Sequence, residues 1–189
     1  MARVRTFIAV DLGKTIRDRL VALQEAVAKS VTGVKWVEPD NLHVTLLFLG
    51  EVDDRELPAL CRAVQEVTQT VPAFTLSIEG AGCFPNPRRP HVLWVGCGAG
   101  SQEVCALHDA LEPPLLELGC YRREERKYAP HVTLGRIRGN SAPAGLTAAL
   151  AQQQAWKAGV VTVRELHVMS SELTPDGPRY TVLSRAKLA

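Results

Sequence analysis

Two histidines in this chain are followed by the same three residues: His43-Val-Thr45-Leu in "NLHVTLLFLG" and His131-Val-Thr133-Leu in "YAPHVTLGRI", at a separation of 88 positions (131 − 43). Histidine has an unperturbed pKa of about 6.5, so it can act as acid or base near neutrality. A threonine two positions on adds a hydroxyl that can donate a hydrogen bond. Residues two apart on a strand share a face, so each copy presents an imidazole and a hydroxyl together and turns valine and leucine to the apolar side. A repeated tetrapeptide alone is weak evidence. Only five of the 189 residues are histidine, however, so a repeat led by histidine is far rarer than an arbitrary one. If the two copies meet about a pseudo-twofold axis, one imidazole can be neutral while the other is charged. Such a pair suits concerted general acid-base catalysis, each partner contributing about 10² to 10⁴ in rate, with the hydroxyls directed at a phosphoryl oxygen. The residues leave open which imidazole carries the proton. Two core histidines and two ordinary β-forming threonines would explain one motif, but explain a matched pair much less well.

The elements that must position these groups follow from hydrophobic periodicity. "VRTFIAVDL" reads as a first strand, followed by a helix from about Thr15 to Lys29 with Ile16, Leu20, Leu23 and Val27 at helical spacing. "VKWV" and "LHVTLLFLG" read as strands around the turn "EPDN". A second helix is predicted from about Asp53 to Thr70, with Asp53 as N-cap. The second half offers the strands "AFTLSIEGAGCF" and "HVLWVGC" around "PNPRRP", a helix from about Gln102 to Leu118, the charged loop "YRREERKYAP" and the strand "HVTLGRIR". A fourth helix around "GLTAALAQQQAW" and the strands "VVTVRELHVMSSEL" and "RYTVLSRAKL" complete it. Both halves mix helices with strands and carry the motif on a strand, as a degenerate duplication would.

Composition bounds the rest. At 20.6 kDa, with 46% hydrophobic and 22% charged residues, the chain suits one soluble unit over residues 1–189, either compact or of two small lobes sharing an interface, rather than two independent domains. No apolar run is long enough to span a bilayer. The five cysteines are odd in number and contain no C-x-x-C pair, which argues against disulfides and zinc and suits a reducing cytoplasm. A net charge of +2 requires any nucleic-acid contact to come from a local patch.

The ordered set "RTFIAVDL", "NLHVTLLFLGEV", "RPHVLWVG", "RKYAPHVTLGR" and "SSELTPDGPRY" resembles the 2H phosphoesterases, named for two H-x-[ST] motifs, and among them the RNA 2′,3′-cyclic phosphodiesterases, also called 2′-5′ RNA ligases. The likeness spans nearly the whole chain. It implies an α+β fold of two pseudo-twofold-related lobes, each a mostly antiparallel sheet with helices on its outer face, around a central cleft. It further implies hydrolysis of a 2′,3′-cyclic phosphate at an RNA end to a 2′-phosphate, without metal or other cofactor. On that likeness His43 is the general acid that protonates the departing 3′ oxygen, His131 the general base that activates water, and Thr45 and Thr133 hold phosphate oxygens. The reverse joining of a cyclic end to a 5′-hydroxyl is implied as well. The expected partner is RNA with such an end, tRNA fragments included, and the chain is expected to be a cytoplasmic monomer with no membrane partner.

Three arginines are candidates for substrate binding. Arg136 and Arg126 match basic positions of the family pattern and could grip phosphate bidentately, and Arg89, with Arg88, could contact an RNA backbone. Strict alternation puts Arg136 on the face opposite His131, so it reaches the cleft only if the strand bulges or ends near Gly135. Trp36, Phe84 and Tyr128 could stack a base, though their apolar strand settings favour core packing. "VGCGAGS" imitates a dinucleotide loop with the wrong spacing and reads as a flexible link with Ser101 as N-cap. His91, His108 and His167 read as structural or surface residues. Alternatives to the RNA cyclic phosphodiesterase are the same chemistry on a small nucleotide cyclic phosphate or a 2′-5′ oligonucleotide, and, in another class, a non-catalytic RNA-binding module.

Overall fold

The computed structural model describes residues 2–139, 142–175 and 177–189. Among them β1 (Arg3–Asp11) leads into α1 (Gly13–Ala28), β2 (Val34–Trp36), a 3-10 turn (Pro39–Asn41), β3 (His43–Asp53) and α2 (Leu57–Thr68). Then come β4 (Phe74–Phe84), β5 (Val92–Cys97), α3 (Ser101–Glu117), β6 (His131–Ile137), α4 (Leu146–Gln152), β7 (Lys157–Val163), β8 (Glu165–Thr174) and β9 (Gly177–Lys187). The strands join in the order β7-β4-β5-β6-β3-β1-β8-β9, with β2 on the free part of β6, and every pairing is antiparallel. The fold is α+β, with four strands of that order on each side of the β6–β3 seam.

At the seam one Cα pair, Val44 opposite Val132, joins the halves among the described residues. Both valines are fully buried, so the seam is anchored in the core, and the residues beside them on its other face, His43, Thr45, His131 and Thr133, are half-buried. β7 and β8 belong to opposite halves, yet only Arg164 separates them in sequence. A sheet whose distant strands are joined by one residue must curl back on itself, and the last two strands return to the first half. The lobes are therefore interlocked by chain path.

The core lies between the sheet and its helices. The face of α1 carrying Ile16, Leu20, Leu23 and Val27 is buried as its spacing predicts, and α3 buries Val104, Leu107, Leu111 and Leu115. All five cysteines are free. No helix among the described residues is long and apolar enough to cross a membrane.

Several predicted boundaries are corrected. Asp53 does not cap α2: it ends β3 opposite Arg3, and its carboxylate accepts from the Arg55 amide at 3.1 Å, while Glu56 is the N-cap and Pro58 sits in the first turn. Sheet pairing with β1 holds Asp53 extended, and proline is tolerated where helical amides lack partners. Ser101 is the first helical residue of α3 rather than its cap. Gly100 caps it at φ +85°, where a Cβ would lie 2.2 Å from the Thr75 carbonyl oxygen; the link is packed against β4, not loose. Two predicted C-terminal strands are three, because the chain crosses between halves at Arg164. The fourth helix is confined to Leu146–Gln152.

Truncating either seam valine should therefore weaken the whole unit. We expect Val44→Ala and Val132→Ala each to cost about 2 kcal/mol in urea unfolding, and the double variant to cost less than their sum because the side chains share one contact. Strict additivity would show that the two residues do not support each other.

Candidate functional site

β3 and β6 repeat more than a tetrapeptide. Over seven residues from each histidine the alternation of half-buried, buried and exposed positions is the same: 43–49 matches 131–137. With Val44 facing Val132 and both buried on the core side, His43, Thr45, His131 and Thr133 project together from the other face. The structure thus brings the four motif residues onto one face of the sheet.

Each imidazole is oriented in the same way. His43 Nδ1 lies 2.7 Å from the Asn41 carbonyl oxygen and His131 Nδ1 lies 2.7 Å from that of Ala129. A carbonyl only accepts, so both Nδ1 atoms carry hydrogen and Nε2 is the basic nitrogen of each neutral ring. Thr45 Oγ1 donates to His43 Nε2 at 2.9 Å, so in this arrangement its hydroxyl is engaged by the histidine. His131 Nε2 has no protein partner among the described residues, and His131 lines a cavity of about 880 Å³.

Aromatic rings flank both histidines. Phe7 stacks on His43 at 5.0 Å and Tyr180 meets it edge-on at 5.5 Å; Phe84 meets His131 edge-on at 5.1 Å. Burial pushes His43 down to about 4, although the Asn41 carbonyl and the Asp11 carboxylate pull the other way; His131 is near enough for its charge to lower it further. His131 is lowered too, by burial first, against its bond to Ala129 and with the Arg136 charge.

Leu134 resolves the conflict between strand alternation and a cleft-facing arginine. In the pairing of β5 with β6, Leu93 faces Gly135 but Trp94 faces Thr133, which leaves Leu134 as an extra residue. This bulge flips the alternation, so Ile137 turns into the core and Arg136 emerges on the histidine face. The pull of Arg136 on His131 and on Tyr180 agrees with that placement. β3 carries the matching bulge at Leu46, between the pairs Ile8–Leu47 and Ala9–Thr45. The residue it turns outward is Phe48, 56% exposed, with its ring 6.1 Å from Phe7. Arg136 and Phe48 are thus counterparts in the two halves.

Other predicted residues stand further off. Arg126 is exposed in the loop before β6, where its neighbour Lys127 rather than Arg126 lines the cavity. Arg89 is exposed in the loop after Phe84, its amide donating to Asn86 Oδ1 at 3.2 Å. Trp36 packs against the core as expected. Phe84 instead faces His131, because it sits where β4 ends beside the cleft. Tyr128 is partly packed in the core, and its hydroxyl donates to the Thr45 carbonyl at 2.8 Å while its ring stacks on His108 at 4.2 Å. His167 is held by Glu165 at 2.8 Å. Sequence reading missed Phe7, Phe48 and Tyr180. The only signal for Phe48 was its offset of five from His43, equal to that of Arg136 from His131. No group of three or more His, Cys, Asp or Glu among the described residues is arranged to hold a metal ion.

The family model described as LigT-like phosphoesterase matches twice, over residues 10–94 and 95–180, with one His-x-Thr motif in each match. The RNA 2′,3′-cyclic phosphodiesterase of Methanothermobacter thermautotrophicus is 37% identical over 179 residues, covering 95% of this chain and 96% of that protein. Among solved structures, TT0787 of Thermus thermophilus superposes with a TM-score of 0.79 at 30% identity, covering 97% of each chain. E. coli LigT, solved in complex with 3′-AMP, gives 0.76 at 29% identity over 100% of this chain and 99% of that one.

Histidine NMR titration should report this environment directly. We expect both imidazoles in the ligand-free protein to titrate below the usual 6.5, His43 near 4, and both to move upward with inorganic phosphate, because a bound anion favours the charged ring. Two unshifted titrations would contradict the buried arrangement.

Proposed function

The chain belongs to the LigT-like phosphoesterase family, and from that membership we propose that it is an RNA 2′,3′-cyclic phosphodiesterase that opens the cyclic end to a 2′-phosphate by acid-base catalysis between His43 and His131. One observation carries this reading: two imidazoles, each with Nδ1 committed to a backbone carbonyl, share the open face of one seam. The curated relatives bearing that activity in their names match over nearly the whole chain.

In the proposed reaction His131 Nε2, which has no protein partner among the described residues, takes a proton from water as the oxygen attacks phosphorus. His43, protonated on Nε2, gives a proton to the departing 3′ oxygen. Burial disfavours that charged ring in the empty site, whereas the anionic phosphate favours it, so substrate arrival supplies the protonation state that catalysis requires. A protonated His43 Nε2 can no longer accept from Thr45, and the released hydroxyl can donate to a phosphoryl oxygen. Thr133 and Arg136 supply further donors for the developing charge. Phe48 supplies an exposed ring against which the terminal base can stack. No step needs a metal or a nucleotide cofactor. With a 5′-hydroxyl in place of water, the same two groups perform 2′-5′ joining. We read residues 1–189 as one functional unit, active as a monomer on RNA ends such as those of tRNA fragments, in the cytoplasm.

Incubating RNA that bears a 2′,3′-cyclic phosphate in EDTA should leave wild-type turnover intact, and His43→Ala and His131→Ala should each lose at least about 100-fold in kcat/KM, the product phosphate being identified by mass and phosphatase treatment. Full turnover by either variant would sink the two-histidine mechanism. Phe48→Ala should raise KM about tenfold with kcat little changed, in line with roughly 1–3 kcal/mol for one stacked base, and Phe48→Trp should restore it. Arg136→Ala should instead lower kcat. An unaltered KM in Phe48→Ala would remove that ring from substrate binding.

A further inference from the structure

The histidine face of the first half carries a cation that the proposed reaction does not use. Residues two apart on a strand share a face, so Arg5 projects from β1 on the same side as Phe7. That ring stacks on His43 at 5.0 Å and meets Tyr180 edge-on at 4.9 Å. Phe7 faces Phe48 across the β1–β3 pair, and two residues back along β1 Arg5 faces Glu51. Arg5 is therefore the diagonal neighbour of Phe48, at roughly 7–8 Å, a separation that a long side chain spans. On the other flank of β1, Thr6 faces Ser170, and the adjoining Ser171 faces Tyr180. One row thus runs from Glu51 through Arg5 and Ser171 to Tyr180.

Arg5 is exposed, and among the described residues neither it nor Glu51 belongs to an ion pair. Its charge is felt at Tyr180 instead: burial raises the pKa of that phenol, and the charges of Arg136 and Arg5 oppose the rise. A guanidinium from each half therefore reaches toward the tyrosine that borders His43. An unpaired guanidinium beside an aromatic face suits an anionic oxygen of a ligand that also stacks. Ribose stereochemistry says which oxygen. The base at C1′ and the 5′ carbon at C4′ stand on one side of the sugar ring, and the 2′ and 3′ oxygens stand on the other. With the cyclic phosphate at the imidazoles and Arg136 and the base on Phe48, the 5′ substituent of the same ribose must lie on the side of Phe48, where Arg5 is.

We propose that Arg5 binds the phosphodiester on the 5′ side of the terminal nucleotide, and that this contact makes the chain favour the end of a strand over a free nucleoside cyclic phosphate. This rests on the acid-base reading above. Two guanidiniums then hold consecutive phosphates, Arg136 from β6 the reacting one and Arg5 from β1 the one before it, with the terminal base between them on Phe48. A phosphate contact fixes position and carries no base identity, so Arg5 selects for the presence of a strand and not for its sequence.

The test compares kcat/KM of the full chain on three substrates: uridine 2′,3′-cyclic phosphate, the dinucleotide UpU with the same cyclic end, and that dinucleotide with an uncharged methylphosphonate between its nucleosides. In the wild type the natural dinucleotide should exceed the mononucleoside about tenfold, as a hydrogen-bonded contact between charged groups allows, and the methylphosphonate should lose that advantage. Arg5→Gln should erase the advantage, and Arg5→Lys, which keeps the charge, should retain most of it. The salt dependence of kcat/KM for the natural dinucleotide should be shallower in Arg5→Gln by about 0.7 in log-log slope, the share of one phosphate on a single strand. A wild type with no preference for the dinucleotide, a methylphosphonate as good as the natural linkage, or an advantage that survives Arg5→Gln overturns the assignment and leaves the hydrolytic reading standing. Equal loss on all three substrates in Arg5→Gln also overturns it, since Arg5 would then act at the reacting phosphate or in the fold. A wild type that hydrolyses none of them overturns the acid-base reading and this inference with it.

Discussion

One extra residue in β6 governs what the site contains. Leu134 has no counterpart on β5, and its carbonyl is taken up twice, by the Val37 amide at 2.9 Å and by the Gln24 side chain at 2.8 Å. Gln24 is buried on α1, and its amide nitrogen also donates to the Val37 carbonyl at 2.9 Å. A buried amide bonded to two carbonyls is costly to displace, so the bulge is held from behind by a helix of the first half. Gly135 completes the arrangement: a Cβ there would come within 2.6 Å of Val34, closing the approach by which β2 pairs with β6. Without the bulge, Arg136 would turn into the core and Ile137 outward.

The same device, used on β3, gives the two halves different contents. Leu46 shifts β3 as Leu134 shifts β6, yet the residue brought out is Phe48 in one half and Arg136 in the other. A duplicated backbone therefore carries an aromatic face on one side of the seam and a guanidinium on the other. Symmetry of the frame positions the imidazoles alike, and asymmetry of a single pair of residues would, in the proposed reaction, separate base contact from phosphate contact.

The seam that joins these halves is narrow, and its strength comes from outside the strands. Val44 and Val132 form its core-side contact, Tyr128 ties the loop before β6 to the Thr45 carbonyl, and the crossing at Arg164 sends β8 and β9 back to the first half. A broad ladder between β3 and β6 would have filled the cleft with paired backbone. One paired position keeps the histidines together while leaving room for a substrate between the halves. The burial that follows from this enclosure lowers the affinity of both rings for protons, so in the proposed reaction the imidazolium charge arises only once an anionic substrate is bound.

The residues alone determined the chemistry on offer: two His-x-Thr units on strands, in two αβ halves, with the apolar spacing of α1 clear enough to place its buried face. Local sequence is sufficient there because side-chain alternation and helical periodicity are properties of a few consecutive residues. The ends of elements were less legible. Asp53 and Ser101 both have the chemistry of an N-cap, but pairing with Arg3 and packing against Thr75 overrule local preference at these points. What only the tertiary structure decided is everything that depends on register between distant strands. The bulge at Leu134 exists because β5 and β2 pair with β6 as they do, and no residue of β6 announces it except Gly135. Phe48 reads in the sequence as one more apolar residue of a strand. It comes to lie on the histidine face through partners on other strands, because strand pairing, not the chain's own neighbours, sets which way a side chain turns.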